Sequence, residues 1–85
     1  MYKPKFTKKV IKQFSKLPAQ SYEQVFSGII VLILDPSSDA LDVEKLTDED
    51  GLLRLRIGNY RVVYTVNHDK EEINIKTIAH RKDAY

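Results

Sequence analysis

The sequence predicts an α+β fold in which a two-helix hairpin packs on one face of a small, mainly antiparallel sheet. Two observations carry this. Apolar residues recur at helical spacing through residues 8–34 and then switch to strict alternation after Gly51. Between two alternating runs stands Gly58-Asn59, a dipeptide suited to a two-residue hairpin turn.

The elements follow in order. Tyr2 to Phe6 reads as a short first strand, which Pro4 confines to an edge or a strand terminus. Thr7 offers an N-cap to a first helix, where Val10, Ile11, Phe14 and Leu17 form an apolar stripe opposite Lys8, Lys9, Lys12 and Lys16. Pro18 suits the first turn of a second helix, whose stripe is Tyr22, Val25, Phe26, Ile29 and Ile33, and Asp35-Pro36 ends it. The last half of that helix is apolar all round, because Ile30, Val31, Leu32 and Leu34 fill the other positions. Such a helix is sandwiched within the domain or covered by a partner; a short buried strand is the competing local reading. Residues 35–50 are polar and acidic, with Val43-Glu-Lys-Leu46 expected to pin them to the fold as an extended piece.

Leu53, Leu55 and Ile57 alternate with Arg54 and Arg56; after the turn, Tyr60, Val62, Tyr64 and Val66 alternate with Arg61, Val63 and Thr65. Counting outward from the turn pairs Ile57 with Tyr60, Arg56 with Arg61 and Leu55 with Val62. Arg54, Arg56 and Arg61 therefore share the face opposite the apolar one. A third strand runs from Glu72 to about His80, beyond the polar connection containing His68, which reads as solvated. Strict alternation places Ile73, Ile75, Thr77 and Ala79 on the apolar face. Asn74, Lys76, Ile78 and His80 then join the arginines, with His80 near Arg61. The same parity would send Arg81 into the core, so the strand is expected to end or bulge there, freeing Arg81, Lys82 and Tyr85 to turn back toward the arginines.

Length and composition set the bounds. The 85 residues suit a single domain, 1–85, with a modest core. With no cysteine and two separated histidines, neither disulfides, a metal site nor a cofactor is expected. The N-terminus lacks the apolar stretch of a signal peptide, and the longest apolar run, Ile29 to Leu34, is far short of a bilayer span, so the expected setting is cytoplasmic and away from membranes. A net charge of +2 conceals segregation: residues 35–50 hold seven acids against Lys45, and the rest of the chain holds thirteen bases against five acids, a net +8. Six lysines precede Leu17 without one acid. They read as a solvated face or as a surface that tracks phosphates.

Facing arginines in a hairpin cost stability, on the order of tenths of a kcal/mol when solvated, and nothing in the sheet requires Arg56 opposite Arg61. A phosphate site gains from them, because guanidinium groups match phosphate oxygens bidentately and stay charged. This points to a polyanion, RNA before others.

Two segments, Leu53-Arg-Leu-Arg-Ile-Gly-Asn-Tyr-Arg-Val-Val-Tyr64 and Ile78-Ala-His-Arg-Lys-Asp-Ala-Tyr85, preceded by two helices, resemble the RelE/ParE superfamily of toxins from type II toxin-antitoxin systems, and its RelE branch in particular. The resemblance covers nearly the whole chain. It implies a βααβββ fold and cleavage of messenger RNA in the decoding site of the 70S ribosome, hence inhibition of translation. It also implies neutralisation by a RelB-like antitoxin wrapped around the toxin, with operator DNA reached only through the antitoxin complex. By position, Arg54 and Arg56 fall where RelE toxins carry RNA-contacting bases, with Lys76 and Lys82 as further RNA contacts. Arg61 matches an arginine that stabilises phosphate charge, Arg81 a cation that assists the leaving group, and Tyr85 a general base. His80 is a second acid-base candidate.

The chemistry so implied is attack of a ribose 2′-hydroxyl on its own phosphate with loss of the 5′-oxygen, which needs a base, an acid and cations. Clustered cations favour the phenolate of a tyrosine whose ordinary pKa is near ~10. Two other classes of function stay open. One is a ParE-like toxin that inhibits DNA gyrase by protein contact, and the other is a non-catalytic RNA- or partner-binding domain.

Overall fold

Seven elements follow one another: β1 (Lys3–Phe6), α1 (Lys8–Ser15), α2 (Ala19–Leu34), β2 (Asp42–Lys45), β3 (Leu53–Ile57), β4 (Tyr60–Asn67) and β5 (Glu72–His80). The computed structural model describes residues 1–47 and 50–83. The strands form one sheet in the order β1-β5-β4-β3-β2, antiparallel except where edge strand β1 runs parallel to β5. The extended piece expected around Val43 is thus a paired strand, and the sheet has five strands with the helices on one face.

Local chemistry accounts for the helix boundaries. The Thr7 hydroxyl accepts the Val10 amide at 3.1 Å, capping α1. Pro18 stands at the cap position before α2 rather than within its first turn, and α2 stops at Asp35, whose backbone is extended. Residues 29–34 are helical throughout, which settles the strand alternative. The buried stripe of α2 is Val25, Ile29, Leu32 and Ile33; Tyr22 and Phe26, expected in the core, remain 44% and 46% exposed. Those two rings stack in series with Phe14 of α1, at centroid separations of 4.4 and 6.3 Å, and line a groove between the helices. Ile30, Val31 and Leu34 are also exposed, so the fold does not sandwich α2. Gly28 lets α2 sit close on β3, because the Ile57 Cδ1 lies 2.5 Å from where a Cβ would stand.

The hairpin has the predicted register, Ile57 with Tyr60, Arg56 with Arg61 and Leu55 with Val62. Gly58 takes φ +56° while Asn59 keeps a negative φ, the pattern of a turn that calls for glycine first. Leu55, Ile57, Val62, Tyr64, Ile73, Ile75 and Ile78 meet Val10 and the α2 stripe in the core. Val63 is fully buried but outside that cluster, on the other face between its partners Arg54 and Thr77.

One irregularity changes the parity of the last strand. Val63 pairs with Thr77 and Tyr64 with Ile75, leaving Lys76 as an extra residue in a β-bulge. Beyond it Ile78 faces Val62 in the core, Ala79 faces Arg61, and His80 faces Tyr60. Strict alternation had assigned Ile78 and His80 to the arginine face, and the bulge is the reason they are not there. Strand β1 runs out at the pair Phe6–Ile75, so the outer edge of β5 is open from there on. Gln13 of α1 fills the gap: its Oε1 accepts the Ile78 amide at 2.8 Å, and its Nε2 donates to the Thr77 hydroxyl at 3.0 Å. Replacing Gln13 with Ala orphans a buried amide and should cost about 1–3 kcal/mol. Urea unfolding of the Gln13→Ala variant checks this; an unchanged midpoint would mean that the bulge holds itself.

Candidate functional site

The site grows out of the open face of the hairpin. Arg54, Arg56 and Arg61 project there, and Val63, the cross-strand partner of Arg54, is fully buried. Because the bulge has shifted parity and β5 ends at His80, the chain brings Arg81 and Lys82 to the same face. The Arg81 amide donates to the Asn59 carbonyl at 2.7 Å, hooking this end of the chain to the hairpin turn. Two further bonds tighten the bend, from the Asp83 amide to the His80 carbonyl at 2.8 Å and from the Lys82 amide to His80 Nδ1 at 3.3 Å. The result is a cavity of about 410 Å³ lined by Glu44, Arg54, Arg56, Arg61, Arg81 and Lys82.

The cations fall into two groups. Arg54 is ion-paired with Glu44, its cross-strand partner, and Arg56 lies 3.7 Å from Asp42, likewise its partner on β2. These acids offset the repulsion between Arg56 and Arg61. Arg61 is half-buried, and its Nη1 donates to the carbonyls of Tyr60 and Gly58 at 2.8 and 3.0 Å. Both carbonyls belong to the hairpin turn, so the turn aims the guanidinium. Burial first, then the charges of Arg56, Arg54 and Arg81, hold its pKa below the ordinary value, yet a guanidinium stays protonated in water at any physiological pH. Among the described residues, the side chains of Arg61, Arg81 and Lys82 make no ion pair. They are the cations with charge to offer an incoming phosphate.

The remaining predicted residues divide. His80 lies on the other face, its ring edge-on to Tyr60 at a centroid separation of 5.5 Å, and it does not line the cavity. Lys76 is exposed in the bulge and does not line it either. Tyr85 lies outside the described residues. Tyr64 is a core residue whose phenol burial pushes up to about 12, so it keeps its proton. His68, expected to be solvated, is exposed in its turn but joined to the Tyr2 hydroxyl at 2.7 Å from Nδ1. Sequence reasoning missed Asp42 and Glu44. Their signal was available: Asp42-Val-Glu44 repeats at the spacing of Arg54-Leu-Arg56 with opposite charge. Among the described residues, no three His, Cys, Asp or Glu side chains are grouped to hold a metal.

With this geometry in place, comparison with known proteins is informative. The family model described as "ParE toxin of type II toxin-antitoxin system, parDE" matches residues 2–85. The chain belongs to the RelE/ParE superfamily of toxins. It is 33% identical over 79 residues to a candidate toxin RelE1 of Methanocaldococcus jannaschii, covering 92% of this chain and 88% of that one. Among solved structures it is similar to the toxin chain of the archaeal RelE-RelB complex from Pyrococcus horikoshii, with a TM-score of 0.82, 32% identity and 98% of both chains covered. The RelB-RelE complex from Methanococcus jannaschii gives 0.73 at 27% identity, over 91% of this chain and 89% of that chain. The isolated E. coli RelE shares the fold at a TM-score of 0.78 and 21% identity, over 94% of this chain and 84% of its own. This toxin therefore has RelE toxins as its structural neighbours, as the two arginine-bearing segments led one to expect.

The ion pair on β2 has a pH signature. The Arg54 hydrogen bond and charge, aided by Arg56 and Arg61, hold the Glu44 carboxyl below its ordinary 4.5. A depressed folded pKa stabilises the fold fully above about the ordinary value, and the effect is lost as pH falls through the folded value. Wild type and Glu44→Gln should accordingly differ in urea midpoint at pH 7 and converge as the pH is lowered below 4. A difference that persists in acid would show that the carboxylate charge is not what acts.

Proposed function

We propose that this toxin is an endoribonuclease that cleaves messenger RNA in the decoding site of the ribosome, with the scissile phosphate held in the arginine cavity. The observation that carries the reading is the convergence of Arg61, Arg81 and Lys82 beside the paired Arg54 and Arg56 on a face open to a long polymer. The 2′-hydroxyl attacks the adjacent phosphorus, the 5′-oxygen leaves, and a cyclic phosphate remains. Negative charge grows on the non-bridging oxygens in this step, where the Arg61 guanidinium, held by the two turn carbonyls, needs little reorganisation to meet it. Arg81 offsets the negative charge on the departing 5′-oxygen, which takes its proton from water, and Tyr85, as the phenolate, takes the nucleophile's proton. His80, turned toward Tyr60, has the weaker claim to acid-base work. An open cavity aligns an RNA chain poorly by itself, and the ribosome supplies the alignment.

The partner in this reading is a RelB-like antitoxin, in keeping with relatives crystallised as RelE-RelB complexes. A groove of about 380 Å³ lined by Phe6, Ile11, Phe14, Tyr22, Phe26 and Ile30 among others suits the apolar face of a helix, and the lysines of α1 suit acids along its rim. Operator DNA is then reached through the antitoxin. No helix among the described residues is long and apolar enough to cross a membrane, and the proposed site of action is the cytoplasm.

A second reading, gyrase inhibition, takes its support from the ParE description of the matching family model. Mapping messenger RNA ends on translating ribosomes separates the two. Wild type should cut within the decoding site and spare naked RNA, Arg61→Ala should lower the rate about 10²–10³-fold, and Tyr85→Phe about 10²–10⁴-fold. Intact messenger RNA with blocked supercoiling would favour the gyrase reading.

A further inference from the structure

The first helix carries a charge pattern that its own stability does not explain. Lys8, Lys9, Lys12 and Lys16, with Gln13, surround a concavity of about 430 Å³ on the surface of α1. None of the four makes an ion pair among the described residues, and the first turn holds no acid. Lys8 and Lys9 stand at the positive end of the helix dipole, where acids are favoured. Lys8 with Lys12, Lys12 with Lys16, and Lys9 with Lys12 are like-charge neighbours at helical spacing, each pair unfavourable. A face needed only for solubility would place acids at half of these positions.

Placement relative to the arginine cavity supplies the second argument. Gln13 joins α1 to β5 at Thr77 and Ile78, and three residues further along the chain stands Arg81, about 10 Å away at the rise of a strand. Exposed Lys76 occupies the bulge on the other side of that contact, next to Thr77. The way from Lys82 and Arg81 back along β5 leads to the Gln13 contact and so to the lysines of α1. At the opposite edge of the sheet lies β2 with Asp42 and Glu44. A polyanion seated in the cavity is therefore repelled toward one edge and drawn toward the other.

We infer that the Lys8, Lys9, Lys12 and Lys16 face of α1 binds backbone phosphates of the same RNA strand whose scissile phosphate occupies the arginine cavity, so that the strand leaves the site across the β5 edge. This rests on the cavity being the RNA site.

The test uses the full chain and 2′-deoxy oligonucleotides of 4 and 15 nucleotides, which bind without offering the nucleophile. Wild type should bind the 15-mer with a steeper salt dependence than the 4-mer. Replacing all four lysines with Gln should reduce the slope of log K against log[salt] for the 15-mer by about 3, at roughly 0.7 for each phosphate contact of a single strand. The slope for the 4-mer should not move, and the corresponding Lys→Arg variant should restore the 15-mer slope. An unchanged 15-mer slope overturns the inference and leaves α1 a solvated face. An unchanged 15-mer slope accompanied by weaker binding to small ribosomal subunits also overturns it, in favour of ribosomal RNA as the occupant. Failure of the proposed cleavage is read separately: intact messenger RNA together with a lysine-dependent 15-mer slope sinks the nuclease reading and keeps the path.

Discussion

The site depends on a single extra residue in β5 and on the amide side chain that makes it tolerable. Without Lys76 as a bulge, strict alternation would turn Arg81 to the core side of the sheet, where a guanidinium cannot stay charged without a partner. With it, Ile78 enters the core and Arg81 comes round to Arg61. A bulge beside an open strand edge leaves backbone donors unpaired, and β1 is too short to reach them. Gln13 meets the Ile78 amide and the Thr77 hydroxyl together, so α1 is tied to the segment that presents the cations. Packing of the first helix and geometry of the cavity are consequently one property of the fold.

The second constraint is electrostatic. Five cations lining one small cavity repel one another, and the lowered Arg61 pKa records part of that repulsion. Strand β2 answers it with Asp42 and Glu44, each directly across from an arginine. Exposed ion pairs of this kind contribute little to global stability. Their effect here is to divide the cations into a neutralised pair on β3 and an available set, Arg61, Arg81 and Lys82. An anion approaching the cavity meets its strongest field away from the acidic edge.

Much of the architecture was legible because it follows from period and punctuation. Thr7 as a cap, the Gly58-Asn59 turn and the register of Arg56 with Arg61 each rest on interactions between residues close in sequence, and each is found in the structure. Spacing placed the end or bulge of the strand at Arg81, and its actual position at Lys76 was not legible, since the partners of that edge are Gln13, more than sixty residues away, and a β1 that runs out at Phe6. Its consequence is that His80 and Arg81 exchange the faces that alternation assigned to them. The stripe of α2 failed in a similar way. Spacing alone could not say whether Tyr22 and Phe26 or Leu32 would meet the sheet, because the close approach of α2 to β3 at Gly28 and Ile57 is a contact between residues far apart in the chain.

A five-stranded sheet with helices on one side buries one face and leaves the other to solvent, and an 85-residue chain has little left to cover either its outer helix surface or its cationic face. The two surfaces left over differ in kind. The groove between α1 and α2 is almost wholly apolar and shaped by aromatic rings, whereas the opposite side is a cluster of cations edged by Glu44. Helix α1 lines the groove through Ile11 and Phe14, and its Gln13 bonds to β5, the strand that leads to Arg81. A protein helix lodged in the groove would thus bring its own charges against the lysines of α1 and, through Gln13, against the element that holds the bulge in place.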